Sequence, residues 1–320
     1  MAIVLLIQIH RMPFPVFFAN PDMPSRKHVE KEKAVQAVRD YSARQLLGGP
    51  FIYTTSTVKT EYTTGACHGD QRDLTDFMHW FEKMAPITLP SSSSNSSSNH
   101  TAQELALKAR SLAEPPFWYS FDYGMVHVAM INTETDFASA PDGQDGSAGL
   151  NGGPFGKPHQ QVEFLKADLA SVDRSVTPWV IVAGHRPWYT TGLTNACKPC
   201  QEAFENLFYT YGVDLGVFGH EHNSQRFYPV VNETADPNGM NDPKAPMYIV
   251  AGGAGNIEGL SSIGQKPSYT AFAYADHWSY ATLKFLDTNH LQVDFLKSST
   301  GEVLDSSTLY KSHSTQFVVQ

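Results

Sequence analysis

Two short apolar runs in this chain each end in glycine-histidine, and that pairing limits the folds open to it. The first is Pro178-Trp179-Val180-Ile181-Val182-Ala183-Gly184-His185, continued by Arg186-Pro187-Trp188-Tyr189. The second is Val213-Asp214-Leu215-Gly216-Val217-Phe218-Gly219-His220-Glu221-His222. Each has the length and β-branched content of a buried strand. Between them, residues 202–211 place Phe204, Leu207, Phe208 and Tyr211 at helical spacing. A strand-helix-strand unit makes its strands parallel, so both histidine ends are expected at one sheet edge. That edge is where open α/β sheets collect ligands. Three imidazoles there, two of them one residue apart, read as metal ligands; a hydrogen-bonded loop is the structural alternative.

The flanking sequence supports an α/β globule. Residues 160–172 form an amphipathic helix pattern through Val162, Phe164, Leu165, Leu169 and Val172. Residues 117–131 read as a hairpin turning at Tyr123-Gly124, with His127 as a packed strand histidine. The tail over 280–310 alternates like two or three antiparallel strands. Helical patterns are also expected over 27–47 and 74–84, and the serine tract makes 90–101 a low-complexity loop. Residues 2–9 are apolar and fit either an imperfect signal peptide or a short buried strand. With 23 Lys+Arg against 32 Asp+Glu the net charge is −9, which argues against a nucleic-acid surface. No apolar stretch approaches the ~20 residues of a membrane span.

Cysteine use is sparse. Cys197 and Cys200 form a Cys-Lys-Pro-Cys pair and Cys67 stands alone. The pair reads as a local disulfide in a surface loop, with a thioredoxin-like redox site as the other reading. Asn95, Asn99 and Asn232 head N-x-S/T sequons compatible with secretion.

Several pieces taken together carry a resemblance. They are FWYSFDYG with the following INTETDF, LKADLASVDRSVTPWVIVAGHRPWY, GVFGHEH, YIVAGGAGNIEG and the tail EVLDSSTLY. In this order over residues 117–312 the chain resembles the purple acid phosphatases of the calcineurin-like metallophosphoesterase group, its fungal members above all. The resemblance implies an α/β (α+β) fold, a four-layer β-sandwich flanked by helices, over residues 65–312, with the family's C-terminal region at about 245–312. Residues 1–64 stay unassigned.

The implied function is that of a metal-dependent acid phosphatase, hydrolysing phosphomonoesters by a two-metal mechanism in a secreted protein. By the same resemblance His185 and His220 bind a divalent metal (Zn, Mn or Fe), His222 binds iron, and Arg186 and Tyr189 line the substrate pocket. The family's remaining ligand motifs are not in the sequence: Gly-Asn-His occurs nowhere, and the sole Gly-Asp is Gly69-Asp70, read as a loop. The N-terminal metal-binding half is thus expected to be missing. Neutral imidazoles hold Fe³⁺ poorly, since that ion prefers oxygen donors. At most one weakly bound divalent metal is expected. The alternative is therefore a catalytically impaired or inactive relative, acting, if at all, as a non-enzymatic protein. The partner is a phosphomonoester substrate, with no nucleic acid and no membrane.

Overall fold

A computed structural model describes residues 5–9, 16–18, 52–54, 97–115, 117–143, 146, 153–192, 195–255 and 259–313. In chain order the elements begin with β1 (Leu5–Ile9), β2 (Val16–Phe18), β3 (Ile52–Thr54), α1 (Ser97–Leu112), β4 (Tyr119–Tyr123) and β5 (Val126–Met130). There follow α2 (Gln160–Ser171), β6 (Trp179–Ala183), α3 (Lys198–Thr210), β7 (Leu215–Phe218), β8 (Ser224–Phe227), β9 (Val230–Val231) and β10 (Thr234–Ala235). The chain closes with β11 (Met247–Ala251), β12 (Thr270–Tyr274), β13 (Ser279–Phe285), β14 (His290–Lys297) and β15 (Val303–Tyr310). Two compact units result. One comprises Met1–Thr55, Arg186–Ala196 and Asp214–Thr315; the other comprises Ser56–His185, Cys197–Val213 and Gln316–Gln320.

The unit ending at His185 is built on three strands. β4 and β5 pair antiparallel, and β5 pairs parallel with β6 in the register Val126↔Trp179 to Met130↔Ala183. The turn between β4 and β5 uses Gly124 at φ 58°, a backbone glycine adopts without steric cost. Every residue of β5 and β6 is buried, as expected of strands covered on both faces. Helix α2 supplies one cover through Phe164, Leu165, Ala167 and Leu169. Beside it, α1 is tied on by Gln160, whose amide donates to the Leu112 carbonyl at 2.9 Å, and by the Lys108–Glu163 pair.

Helix α1 is not among the helices expected from the sequence, and it starts at Ser97, within the span read as a serine-rich loop through residue 101. Good helix formers from Ala102 to Leu112 outweigh the polar start. The other boundary that differs is α3, which begins at Lys198 and not near residue 202, because Pro199 suits the first turn and Cys197 caps it. The expected helices over 27–47 and 74–84 lie outside the described residues.

A buried charge network locks α2 to its sheet. His127 on β5 sits between two carboxylates, with Nδ1 2.7 Å from Asp122 on β4 and Nε2 2.8 Å from Asp168 on α2. The Ser120 hydroxyl also donates to Asp168. Burial alone would lower the imidazole pKa, but Asp168 and Asp122 together outweigh it and raise it to about 9. The histidine read as merely packed is thus a positively charged clamp.

The other unit holds two sheets. The first has the order β12-β8-β11-β7, with β11 parallel to β7 and antiparallel to β8. The second has the order β15-β14-β13-β1-β2-β3. The tail expected to form two or three antiparallel strands is β13-β14-β15, and β1 adds to it in parallel with β13. Within this unit the sheets meet through Ser224 and Ser279, whose hydroxyls are 2.7 Å apart, and through Arg226, which grips Asp305 with Nε and Nη2 at 2.7 and 3.0 Å.

The connection from β7 to β8 carries Gly-His-x-His. The Glu221 N–H donates back to the Gly219 carbonyl at 2.7 Å, and the Asn223 N–H to the Glu221 carbonyl at 2.8 Å. These are two successive three-residue turns. His220 lies at the centre of the first with φ 62°, a backbone that costs a non-glycine residue about 1–3 kcal/mol. Gly252, just beyond β11, backs this turn so closely that a Cβ would fall 1.9 Å from the Glu221 carbonyl oxygen.

Two outcomes follow from this packing. The folded pKa of His127 lies above the unfolded value of about 6.5. Its stabilisation is therefore complete below that pH and is lost as the pH rises through about 9. His127→Gln should lower the unfolding free energy by about 3–5 kcal/mol in mildly acidic buffer, by leaving Asp168 buried without its partner. The gap to wild type should narrow above the folded pKa; urea melts at both pH values measure it, and an equal gap at both would refute the charged clamp. Gly252→Ala should cost about 1–3 kcal/mol by overpacking, read as a lowered melting temperature. An unchanged melting temperature would mean that the turn yields freely.

Candidate active site

Strand β7 delivers His220 and His222 at its C-terminal end, on a turn whose backbone is bonded on both sides. The His222 N–H donates to the Ser261 hydroxyl at 3.0 Å, and the Ser261 N–H returns to the His222 carbonyl at 3.1 Å. Glu221, between the two histidines, is buried, which raises its carboxyl pKa against a hydrogen bond from Asn195 that lowers it. His220 and His222 are both half-buried.

Arg186 belongs to the same unit. Its Nη1 lies 3.1 Å from His220 Nε2. A guanidinium has donors and no acceptor, so Nε2 is the accepting nitrogen and the ring proton sits on Nδ1. Burial first, then the Arg186 charge, then His222 push the His220 pKa down to about 4. His220 is a neutral ring carrying an arginine on its lone pair.

His185 lies in the other unit, two residues past the end of β6. Its N–H donates to the Thr133 hydroxyl at 3.0 Å, and its Nε2 is 3.5 Å from Glu134 Oε1. Glu134 and Thr133 come from INTETDF, where the Asn132 side chain gathers the loop by accepting the Glu134 and Thr135 N–H groups at 2.8 and 3.2 Å. Glu134 is 3 % exposed. It is the carboxylate that spacing alone does not single out, although its place in a polar run directly after an apolar strand is a usable signal. The Thr133 carbonyl is also 3.5 Å from Cys200 Sγ.

Tyr189 is 2 % exposed, packed edge-on against Tyr248 and Tyr269 with ring centroids 4.9 and 5.2 Å away, and its hydroxyl accepts the Glu233 N–H at 3.2 Å. Cys197 and Cys200 are joined in a disulfide. The bond is not in a surface loop: both cysteines are buried at the start of α3, where Cys197 Sγ also accepts the Cys200 N–H at 3.2 Å. Asn232 is exposed at the turn between β9 and β10, with φ 47°. The side chains of Cys67, Asp70, Asn95 and Asn99 lie outside the description.

The family resemblance implies iron and a second divalent metal. Two cations held close together repel and need anionic oxygen ligands to offset it. Among the described residues no group of three or more histidine, cysteine, aspartate or glutamate side chains is placed to hold a metal ion. Those at the β7 end are two imidazoles and the buried Glu221 carboxyl, and one imidazole has its lone pair engaged by a cation. The described residues do not fit that pair of metals.

Comparison with known proteins fits the motifs. Residues 99–224 match the calcineurin-like phosphoesterase model, and residues 245–306 match the model described as iron/zinc purple acid phosphatase-like protein C. Acid phosphatase A of Cryphonectria parasitica is 61% identical over 256 residues, which cover 80% of this chain and 50% of that protein. An acid phosphatase of Aspergillus ficuum is 36% identical over 230 residues, covering 61% of this chain and 38% of that one. The chain thus spans half or less of the length of these curated relatives. A purple acid phosphatase from yellow lupin seeds has the same fold at TM-score 0.55 and 18% identity, covering 97% of this chain and 54% of that one. With both models matched in order and the metallophosphoesterase fold in place, the chain belongs to the purple acid phosphatase family of calcineurin-like phosphoesterases.

Proposed function

We propose that this chain acts on phosphomonoesters as an acid phosphatase of its family, and that His185, His220 and His222 are the imidazoles it would contribute to the family's two-metal site, which needs anionic ligands beyond the groups the described residues assemble. The observation that carries this reading is the His220 turn. A histidine held at φ 62° against a glycine that cannot take a side chain is backbone strain kept at a strand end, where function is the usual reason for it. Arg186 adds a half-buried cation beside it, with a planar fork suited to a phosphate dianion.

A second reading has its own support: a catalytically impaired relative. The arginine on His220 and the lack of a carboxylate cluster among the described residues leave little to activate a nucleophile. We favour low turnover for a polypeptide of this sequence. Secretion and glycosylation belong to the same proposal, with Asn232 as the exposed acceptor at its turn.

Hydrolysis of p-nitrophenyl phosphate at acidic pH, with EDTA and then with iron and zinc, separates the readings. We expect background rates in EDTA and weak turnover with metals, reduced at least about tenfold in His220→Ala. Robust turnover lost in that variant would establish the full enzyme and refute impairment. Turnover that ignores His220 would refute the assignment of the ligand.

A further inference from the structure

We infer that Arg186 occupies the place of a metal ion on His220, so that divalent-cation binding at this turn is a competition between the guanidinium and the metal. The inference rests on the reading of His220 as a metal ligand and goes beyond it, because it makes a residue outside the ligand set the determinant of metal affinity.

The contact leaves His220 no donor to offer. An imidazole in its neutral form has one lone pair in the ring plane and one N–H. Arg186 Nη1, 3.1 Å from Nε2, can only donate, so the lone pair is on Nε2 and is engaged. The proton is then on Nδ1, which has none to give. While this hydrogen bond stands, neither ring nitrogen of His220 can coordinate a cation. A metal must displace the guanidinium, and a guanidinium close to the bound ion would still repel it in a half-buried setting where screening by water is reduced.

The arrangement is held on both sides, which makes it a competition between defined states. The His220 backbone cannot shift, since it is committed to the turn closed by the Glu221 N–H on Gly219 and buttressed by Gly252. Arg186 is tethered two residues before Trp188, which is buried against Phe218 of β7 and Tyr248 of β11 with ring centroids 4.7 and 5.5 Å away. Both partners therefore start from the same β7–β11 sheet. Coordination at this turn requires the Arg186 side chain to change rotamer while the backbone stays where it is.

Zinc is the probe for the test. The full chain is stripped with EDTA, dialysed, and titrated with Zn²⁺ calorimetrically and against a chromophoric chelator, with circular dichroism melts to confirm folding. Arg186→Gln, which is neutral and shorter, should bind Zn²⁺ about tenfold more tightly than wild type, about 1.4 kcal/mol. Arg186→Lys keeps the charge without the planar fork and should gain less. In a His220→Ala background the Arg186→Gln gain should vanish.

If His220→Ala weakens zinc binding while Arg186→Gln leaves it unchanged or weaker, the competition is overturned and the ligand reading stands. If zinc affinity ignores His220 in both backgrounds, the ligand reading fails and takes this inference with it. Should Arg186→Gln not fold, the Lys variant carries the test, and no gain there over wild type overturns the inference.

Discussion

The space beside Gly252 is already taken by the carbonyl of Glu221, and much of the candidate site depends on that contact. Parallel pairing of β11 with β7 in the register Met247↔Leu215 to Val250↔Phe218 brings the two strand ends level. The residue after β11 then lies against the turn after β7, where a Cβ would fall 1.9 Å from the Glu221 carbonyl oxygen. The turn is held tight enough to keep His220 in a left-handed backbone. His222, two residues on, inherits its position from the same constraint and is pinned again by Ser261.

Two half-buried or buried histidines on this scaffold titrate in opposite directions, and the cause is the company each keeps. Both are desolvated, which disfavours the charged ring. His127 is flanked by Asp122 and Asp168 and is driven up to about 9; His220 is flanked by Arg186 and His222 and is driven down to about 4. The first becomes a cation that binds a helix to a sheet. The second stays neutral in mild acid and keeps the lone pair that Arg186 engages.

Family membership and site chemistry do not carry the same information in this protein. The matches over 99–224 and 245–306 identify the lineage, because strands, turns and packing glycines are what such a match records. Phosphoryl transfer through metals needs negatively charged oxygen donors in addition, and those are a separate set of side chains. In one unit Glu134 stands 3.5 Å from His185 as a partner able to orient it. In the other, His220 is met by a cation.

Local sequence determined the strands and the chemistry they end in. Apolar runs such as Trp179–Ala183, short, β-branched and bounded by Pro178 and Gly184, favour inner strands over helix, so Gly-His falls at strand ends. The α2 pattern and the β13-β14-β15 alternation are legible because burial on one face imposes a period. What lies within three or four residues of a boundary was less legible. The start of α3 at Lys198 turned on capping, and α1 was not legible at all, because propensity and capping are small against the packing energies that decide whether a helix forms. The tertiary structure alone decided the pairings: Asp168 with His127 across 41 residues, Arg186 with His220 across 34, Gly252 against Glu221. No periodicity encodes such contacts, because they depend on how strand ends are brought level in space, and that is fixed by sheet register and not by neighbours along the chain.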